Sequence, residues 1–579
     1  MSSTRLPGKV LRPLAGMPVL QHVVARMQRA TSLDVVAIAT SSDPSDDPLE
    51  AFAAGLGIPC IRGPLDDVLA RYVQAARALS AEVLVRVTGD APLVDPRLTD
   101  LMVSALIAAD ADFVGLQTER PVCDEGFTPM SRRILERLAA EHGDHPVARE
   151  HVSGYRRVDP AFGRQVLVPL AEDRYLPGVR LSVDTPADLA FLEAVYAALG
   201  VPAPNAEMLE VIALLRRRPD LMAINAHVRQ KQVDHRPLQV LVRCDGGAGL
   251  GLGHVRRCLA IAETLRDGEG ATVHAAIVRD DQAAEAFQAL AFRVHRPPAA
   301  DPEPAAEARW LCELAAGHDH QAILLDLRNG LGPAELEALR GAGLLVAVLD
   351  DPAPRRLAAD LAFYPPAPAG GGPDWTGFRG ELHAGWDWLP LARNFARPRP
   401  DPGPALHSGR ILLSLGGADP EGLAPEMLQA LRRALPPSPV DLVVGPAVPW
   451  AGRAAELAGD GVRLLRGLTD LAPALDDCAL AVLGFGVTAH EAAARGRGSV
   501  LLCRSQADLD SAGCLAAAGI ARMVDLRQTD WAAQAAAEAA ACLADPAGLA
   551  AMGERAAALV DGQGATRIAA ALAARIRTR

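Results

Sequence analysis

Short runs of aliphatic and β-branched residues alternate along most of the chain with segments whose apolar positions recur every three or four residues. That alternation predicts α/β units built on parallel sheets, because successive parallel strands must be joined by crossover helices. In the first part the predicted strands are 34–39, 82–87 and 112–116. Residues 18–30 read as a helix, with proline in its first turn and Leu20, Val23, Val24 and Met27 along one face. Residues 205–231 read as a charged helical tail and 233–237 as a short linker. A second unit opens with a strand at 239–243 and runs to about residue 395. The Pro-rich stretch 396–410 reads as a linker or hinge, and a third unit opens with a strand at 411–415 and runs to residue 579. The last two units are similar in size, and each begins with a strand entering a glycine-containing turn. Two Rossmann-like lobes of this kind would place a ligand cleft between them.

At 579 residues the chain exceeds a single core, and its half-apolar, 22% charged composition is that of a globular protein. A net charge of −12 leaves no basic stripe for coating a nucleic acid, although a nucleotide needs only a few well-placed cations. The nine cysteines are scattered with no C-x-x-C pair, which points to reduced thiols, a cytoplasmic setting and no zinc-finger spacing. No apolar segment approaches the length of a membrane span, and the first residues carry no apolar signal core. Of 58 basic side chains only Lys9 and Lys231 are lysines, so a lysine here marks a place where a compact ammonium matters. His318 and His320, in GHDHQ, read as a solvated turn, and LRRRP at 215–219 as a solvated helix end.

Three elements of the first part carry candidate chemistry. Residues 3–11, STRLPGKVL, set a glycine beside Arg5 and Lys9 in a tight basic loop able to run along a polyphosphate. Asp90, in RVTGDAPLVDP at 86–96, follows an apolar strand. Asp184, in RLSVDTPADL at 180–189, ends another predicted strand, while Asp188 reads as a helix cap. Two carboxylates from separate strand ends can hold Mg²⁺ against substrate phosphates.

With ATSSDP at 39–44, RGPLDDVLARY at 62–72 and REH at 149–151, these pieces span nearly all of 1–232. Together they resemble the sugar cytidylyltransferases, most closely the spore-coat polysaccharide branch related to the CMP-sialate and CMP-Kdo synthetases. The resemblance implies that a sugar-acid oxygen attacks the α-phosphate of CTP and expels pyrophosphate. Arg5 and Lys9 would offset phosphate charge, Leu6, Gly8, Arg86, Thr88 and Gly89 would line the nucleotide, and Asp90 and Asp184 would hold Mg²⁺. Members of the family begin with an apolar strand ahead of STRLPGK, so the reading frame is expected to extend upstream. CDEGFTPMS at 123–131 stands where the family has an acidic segment near the sugar, which leaves the acceptor open.

In the second part, RCDGGAGLGLGH at 243–254 places a strand, a glycine-rich turn and a helix start in sequence, a natural seat for phosphate. His254 at its mouth suits a general base, with helix capping as the structural alternative. SLGGADP at 414–420 and GFGVTAHEAAARG at 484–496 repeat the turn-to-helix pattern, and Gln506 follows the next predicted strand. With LDDPA at 349–353 and the strand end at Asp326, residues 238–579 resemble the UDP-sugar hydrolase of pseudaminic acid biosynthesis, itself similar to MurG-type (GT-B) glycosyltransferases. The resemblance implies UDP-sugar binding by Gly251, Gly253, Gly416, Gly417, Gly486, Thr488, Glu491 and Gln506, with His254 activating water. Leu327, Arg328, Asp508 and Asp510 depart from that family, so glycosyl transfer and non-catalytic binding stay open. The expected protein is a cytoplasmic, bifunctional sugar-nucleotide enzyme of surface-glycan biosynthesis that binds no nucleic acid, with a homodimer compatible with the sequence.

Overall fold

The computed structural model describes the chain except residues 1–2, 4, 118–126, 201–204, 230–237, 247–252, 280, 367–370, 417–418, 420, 436–437, 446–447, 460 and 469. The predicted linker 233–237, residues 123–126 of the 123–131 segment, Gly251 and Gly417 therefore lie outside the described residues. The chain divides into two units, Met1–Val228 and Arg229–Arg579.

In the first unit, helix α1 (Val19–Met27) turns Leu20, Val23, Val24 and Met27 into a core shared with Leu98 and Met102. Ile38–Ser41 (β1) pairs in parallel with Cys60–Gly63 (β2). A second sheet orders Val83–Val87 (β3), Phe113–Leu116 (β4), Phe127–Ser131 (β5) and Gln165–Val168 (β6) as β3-β5-β4-β6. Here the expected parallel arrangement gives way to a mixed sheet, because β5 returns antiparallel between β3 and β4. The predicted strand 34–39 starts only at Ile38, with Val35 unpaired and 53% exposed. The predicted strand 180–184 does not form a ladder; its backbone is tied to the site by Val183 N–H donating to Asp90 O at 2.8 Å. Thr185 and Asp188 close a capping box on α2 (Pro186–Leu199), which fixes where Asp184 enters the structure. The helical tail breaks into Met208–Arg217 and Pro219–Met222, since proline cannot donate to the preceding turn.

The second unit holds two lobes. Gln239–Cys244 (β7), Thr272–Ala276 (β8), Arg293–His295 (β9), Ala322–Asp326 (β10), Leu345–Leu349 (β11), Leu361–Tyr364 (β12) and Glu381–Ala384 (β13) form a parallel sheet ordered β9-β8-β7-β10-β11-β12-β13. Ile411–Ser414 (β14), Val440–Val444 (β15), Val462–Arg466 (β16), Leu480–Gly484 (β17), Ser499–Cys503 (β18) and Ala521–Asp525 (β19) form another, ordered β16-β15-β14-β17-β18-β19. The central strands are buried along their whole length and mostly apolar, as sheets covered on both faces require. In each sheet the strand order reverses beside the first strand, and ligands bind at the carboxyl ends of strands next to such a reversal. The helices α3 (Gly253–Gly268), after β7, and α5 (Val487–Ala494), after β17, start there. This is the two-lobed, GT-B-like form that the sequence predicts.

One lobe boundary needs correction. The last helix, α6 (Gly564–Arg577), does not belong with residues 411–563 but crosses back to the first lobe. Its Ile568, Ala569 and Leu572 share a core with Val240, Val242 and Ile261. The outgoing and returning segments touch: a Cβ on Gly562 would lie 2.9 Å from Ala396 Cα, and one on Gly564 would lie 2.1 Å from Leu389 O. The predicted linker 396–410 also contains a short helix, Gly403–Ser408. Among the described residues no helix is long and apolar enough to cross a membrane.

Candidate active sites

The basic loop of the first unit turns at Gly8, whose φ of +66° suits glycine, and Lys9 N–H donates to Leu6 O at 3.1 Å. Leu6 is 1% exposed and anchors the loop in the core. Gly89 lets the loop approach the end of β3 closely: a Cβ there would meet Leu20 at 3.3 Å and Val10 at 3.5 Å. The result is a cluster. Lys9 Nζ donates to Asp90 and, at 2.6 Å, to Asp184 Oδ1. Arg5 pairs with Asp184 at 3.0 Å, and Arg180, a residue the sequence reading did not single out, donates to Asp184 and to Asp188. Thr88 hydrogen-bonds Asp90. Burial alone would raise the Asp90 carboxyl, but the Lys9 charge and these hydrogen bonds hold it below the usual range. Asp188, by contrast, is raised by burial despite Arg180, as fits a structural cap. Arg86 lies beside Tyr72, and its Nε has no partner among the described residues.

Both carboxylates therefore converge on one cationic point at the carboxyl end of β3. The donor set fits a hard divalent ion, which takes one or two carboxylates and leaves the remaining positions to phosphate and water. Lys9 would have to yield that point to the ion and turn to the phosphates.

In the second unit a second polar network lies at the carboxyl ends of β7, β10 and β11. His254 Nδ1 lies 2.6 Å from Asp326 Oδ1, and Arg257, one turn along α3, donates to both oxygens of Asp326 and to Asp350 Oδ2 at 2.6 Å. Burial opposes the charge on Asp326, yet Arg257 and the His254 hydrogen bond hold its carboxyl far below the usual range. That acceptor fixes the Nδ1–H tautomer and leaves Nε2 with its lone pair. Arg328 Nε donates to Nε2 at 3.2 Å. The pairs Arg257–Asp326, Arg257–Asp350 and Arg328–His254 were not legible along the chain, because 69, 93 and 74 residues separate them.

Beside this network is a cavity of about 700 Å³ between the lobes. Arg256, Arg257 and Glu263 of α3 line one side; Gly416, Thr488 and Glu491 line the other. Gly253 starts α3 against Val487, with only 3.3 Å available to a Cβ. Glu491 is 5% exposed and its Oε2 has no partner among the described residues. Burial raises its carboxyl, with Arg256 and Thr488 pulling the other way. Gly486 caps the start of α5. Gln506 falls elsewhere: it is exposed, bonded to Asp510 and Arg527, and absent from the cavity wall.

Fold and site define the first unit as an α/β domain with two carboxylates and a cationic loop gathered at the carboxyl end of a sheet strand. Residues 1–212 match the family described as Cytidylyltransferase, and the chain belongs to that family. It is 35% identical over 225 residues to the spore coat polysaccharide biosynthesis protein SpsF of Bacillus subtilis (strain 168), covering 38% of this chain and 92% of that protein. It is also 35% identical over 168 residues to a 3-deoxy-manno-octulosonate cytidylyltransferase of Anaeromyxobacter dehalogenans (strain 2CP-C), covering 26% of this chain and 68% of that one. Among solved structures, MurG of Acinetobacter baumannii aligns with 58% of this chain and 99% of its own at 15% identity and a TM-score of 0.43.

Proposed function

We propose that the first unit transfers a cytidylyl group from CTP to a sugar acid, with Mg²⁺ between Asp90 and Asp184. The observation that supports this reading most is the convergence of Asp90 and Asp184 on Lys9 Nζ within a cytidylyltransferase domain. A sugar hydroxyl oxygen attacks the α-phosphorus of CTP, the bond from that phosphorus to the β-phosphate oxygen breaks, pyrophosphate leaves, and the hydroxyl proton passes to solvent. Mg²⁺, when bound, neutralises phosphate charge. Arg5 and Lys9 hold the phosphates in line, and Arg180 keeps Asp184 oriented. Asp90→Asn and Asp184→Asn should each lower pyrophosphate release from CTP and a sugar-acid panel by about 10³-fold or more, with far-ultraviolet circular dichroism unchanged. Near-normal turnover by either variant would remove the assignment.

The second unit, in the same reading, binds a UDP-sugar in the interlobe cavity and hydrolyses it. Glu491 accepts from the ribose hydroxyls and the cleft-facing helix starts seat the diphosphate. His254 Nε2 takes a proton from water as its oxygen attacks the anomeric carbon. The bond from that carbon to the phosphate oxygen breaks, and UDP leaves. Glycosyl transfer is the second reading, favoured by Arg328, which occupies the Nε2 position a water would need. UDP release without any acceptor separates the two readings.

A further inference from the structure

Four histidines meet in the first lobe of the second unit, away from the cleft. His274 is the central residue of β8 and His295 ends β9. His318 and His320 flank Asp319, at φ +54°, in the turn between α4 (Pro304–Gly317) and β10. His274 stands opposite Leu241, which packs in the core beneath α4, so its ring lies on the face that this turn closes. Ligand nitrogens of His274, His295 and His318 all lie within 4.8 Å of one another, and His295 Nε2 is 3.2 Å from His274 Nδ1. The His320 ring centroid is 4.9 Å from that of His274. His320 is 8% exposed, and neither ring nitrogen has a hydrogen-bond partner among the described residues, although the Leu314 carbonyl lies nearby.

A buried imidazole nitrogen without a partner is costly unless something takes its lone pair. Imidazole ligates metal in its neutral form, through the lone pair of an unprotonated ring nitrogen. A ligand cluster made of imidazole nitrogens suits Zn²⁺ and its transition-metal neighbours, not Mg²⁺ or Ca²⁺.

We propose that His274, His295 and His318 bind a Zn²⁺-class ion, with His320 as the fourth nitrogen of a tetrahedral site. Tetrahedral Zn²⁺ with bonds of about 2.0–2.1 Å needs nitrogens roughly 3.4 Å apart, so the rings draw in by about 1 Å on binding. The half-exposed turn holding His318 supplies that movement. The ion clips edge strand β9 and β8 to the start of β10. His254 meets the other end of β10, some six residues and roughly 20 Å of strand away, so the clip is structural and separate from the cleft chemistry.

The test uses the full chain, stripped with chelator and titrated with Zn²⁺ against a chromogenic competitor and with Co²⁺. We expect one Zn²⁺ per chain with Kd below about 1 µM and the intense visible absorption of tetrahedral Co²⁺. His318→Asn, in the half-exposed turn, should weaken binding at least about 100-fold, as should His274→Asn if it folds. Asp90→Asn should change neither reading, which separates this site from the first unit. Zn²⁺ should raise the melting temperature of wild type but not of His318→Asn. Substoichiometric Zn²⁺, a pale octahedral Co²⁺ spectrum, or equal affinity in wild type and His318→Asn would overturn the proposal.

Discussion

Lys9 Nζ lies 2.6 Å from Asp184 Oδ1 while also holding Asp90, so a single ammonium keeps two carboxylates together. Replacing it with Met leaves like charges face to face. Lys9→Met should therefore melt at a lower temperature than wild type without metal, and Mg²⁺ should recover more stability in the variant than in wild type. Pyrophosphate release should fall by about 10²–10³-fold. Differential scanning fluorimetry with and without Mg²⁺, together with the release assay, measures both effects.

The Asp326 carboxylate orients His254 from beneath, at 2.6 Å. Asp326→Asn keeps the side-chain volume but removes the charge that selects the Nδ1–H tautomer. UDP release should drop by about 10²–10⁴-fold, as in His254→Ala, while UDP affinity changes by less than about threefold. Calorimetry with UDP beside a coupled release assay checks the split.

Glu491→Ala should weaken UDP binding by about 1.5–3 kcal/mol, the range for hydrogen bonds to a charged group. The carboxyl is raised by burial, and hydroxyl donation favours its ionised form. Binding therefore releases a proton, so wild-type affinity should rise with pH through the elevated pKa. The difference between wild type and Glu491→Gln isolates this effect from titration of UDP itself, and calorimetry across pH 5–8 reads it (about that range).

His490, on α5, is depressed from 6.5 to about 4 by burial, with Asp350 and the Gly486 backbone raising it and Arg257 lowering it. A depressed histidine lends stability that is fully present above 6.5 and lost as pH falls toward 4. The ring is half-buried, so the loss is about 1–2 kcal/mol after allowing for solvent screening. His490→Gln should flatten the acid limb by that amount. All six tryptophans, from Trp310 to Trp531, lie in the second unit, so urea titrations followed by tryptophan fluorescence report it alone.

What could be read along the chain was what depends on neighbours in sequence. The buried strands β7 and β14, the face of α1 and the capping role of Asp188 all follow from local periodicity and spacing. Asp90 was legible because a strand end places it. The strand expected at 180–184 was not real, since an apolar-polar alternation cannot show whether a partner strand is available. Long-range pairs stayed hidden: Arg257 lies on a helix face whose partners are far along the chain. His318 and His320 read as a solvated turn, whereas the sheet brings His274 and His295 to them. Gln506 looked like a ligand by its place after β18, but α5 and not its own helix forms the cavity wall.

The crossing of α6 into the first lobe gives the second unit a mechanical character. The backbone passes between the lobes twice, and at Gly562 and Gly564 the two passes lie in contact, with no room for a side chain. Two rails fixed side by side resist twisting and sliding far better than one. Any change in the width of the cleft between His254 and Glu491 must therefore bend both passes together.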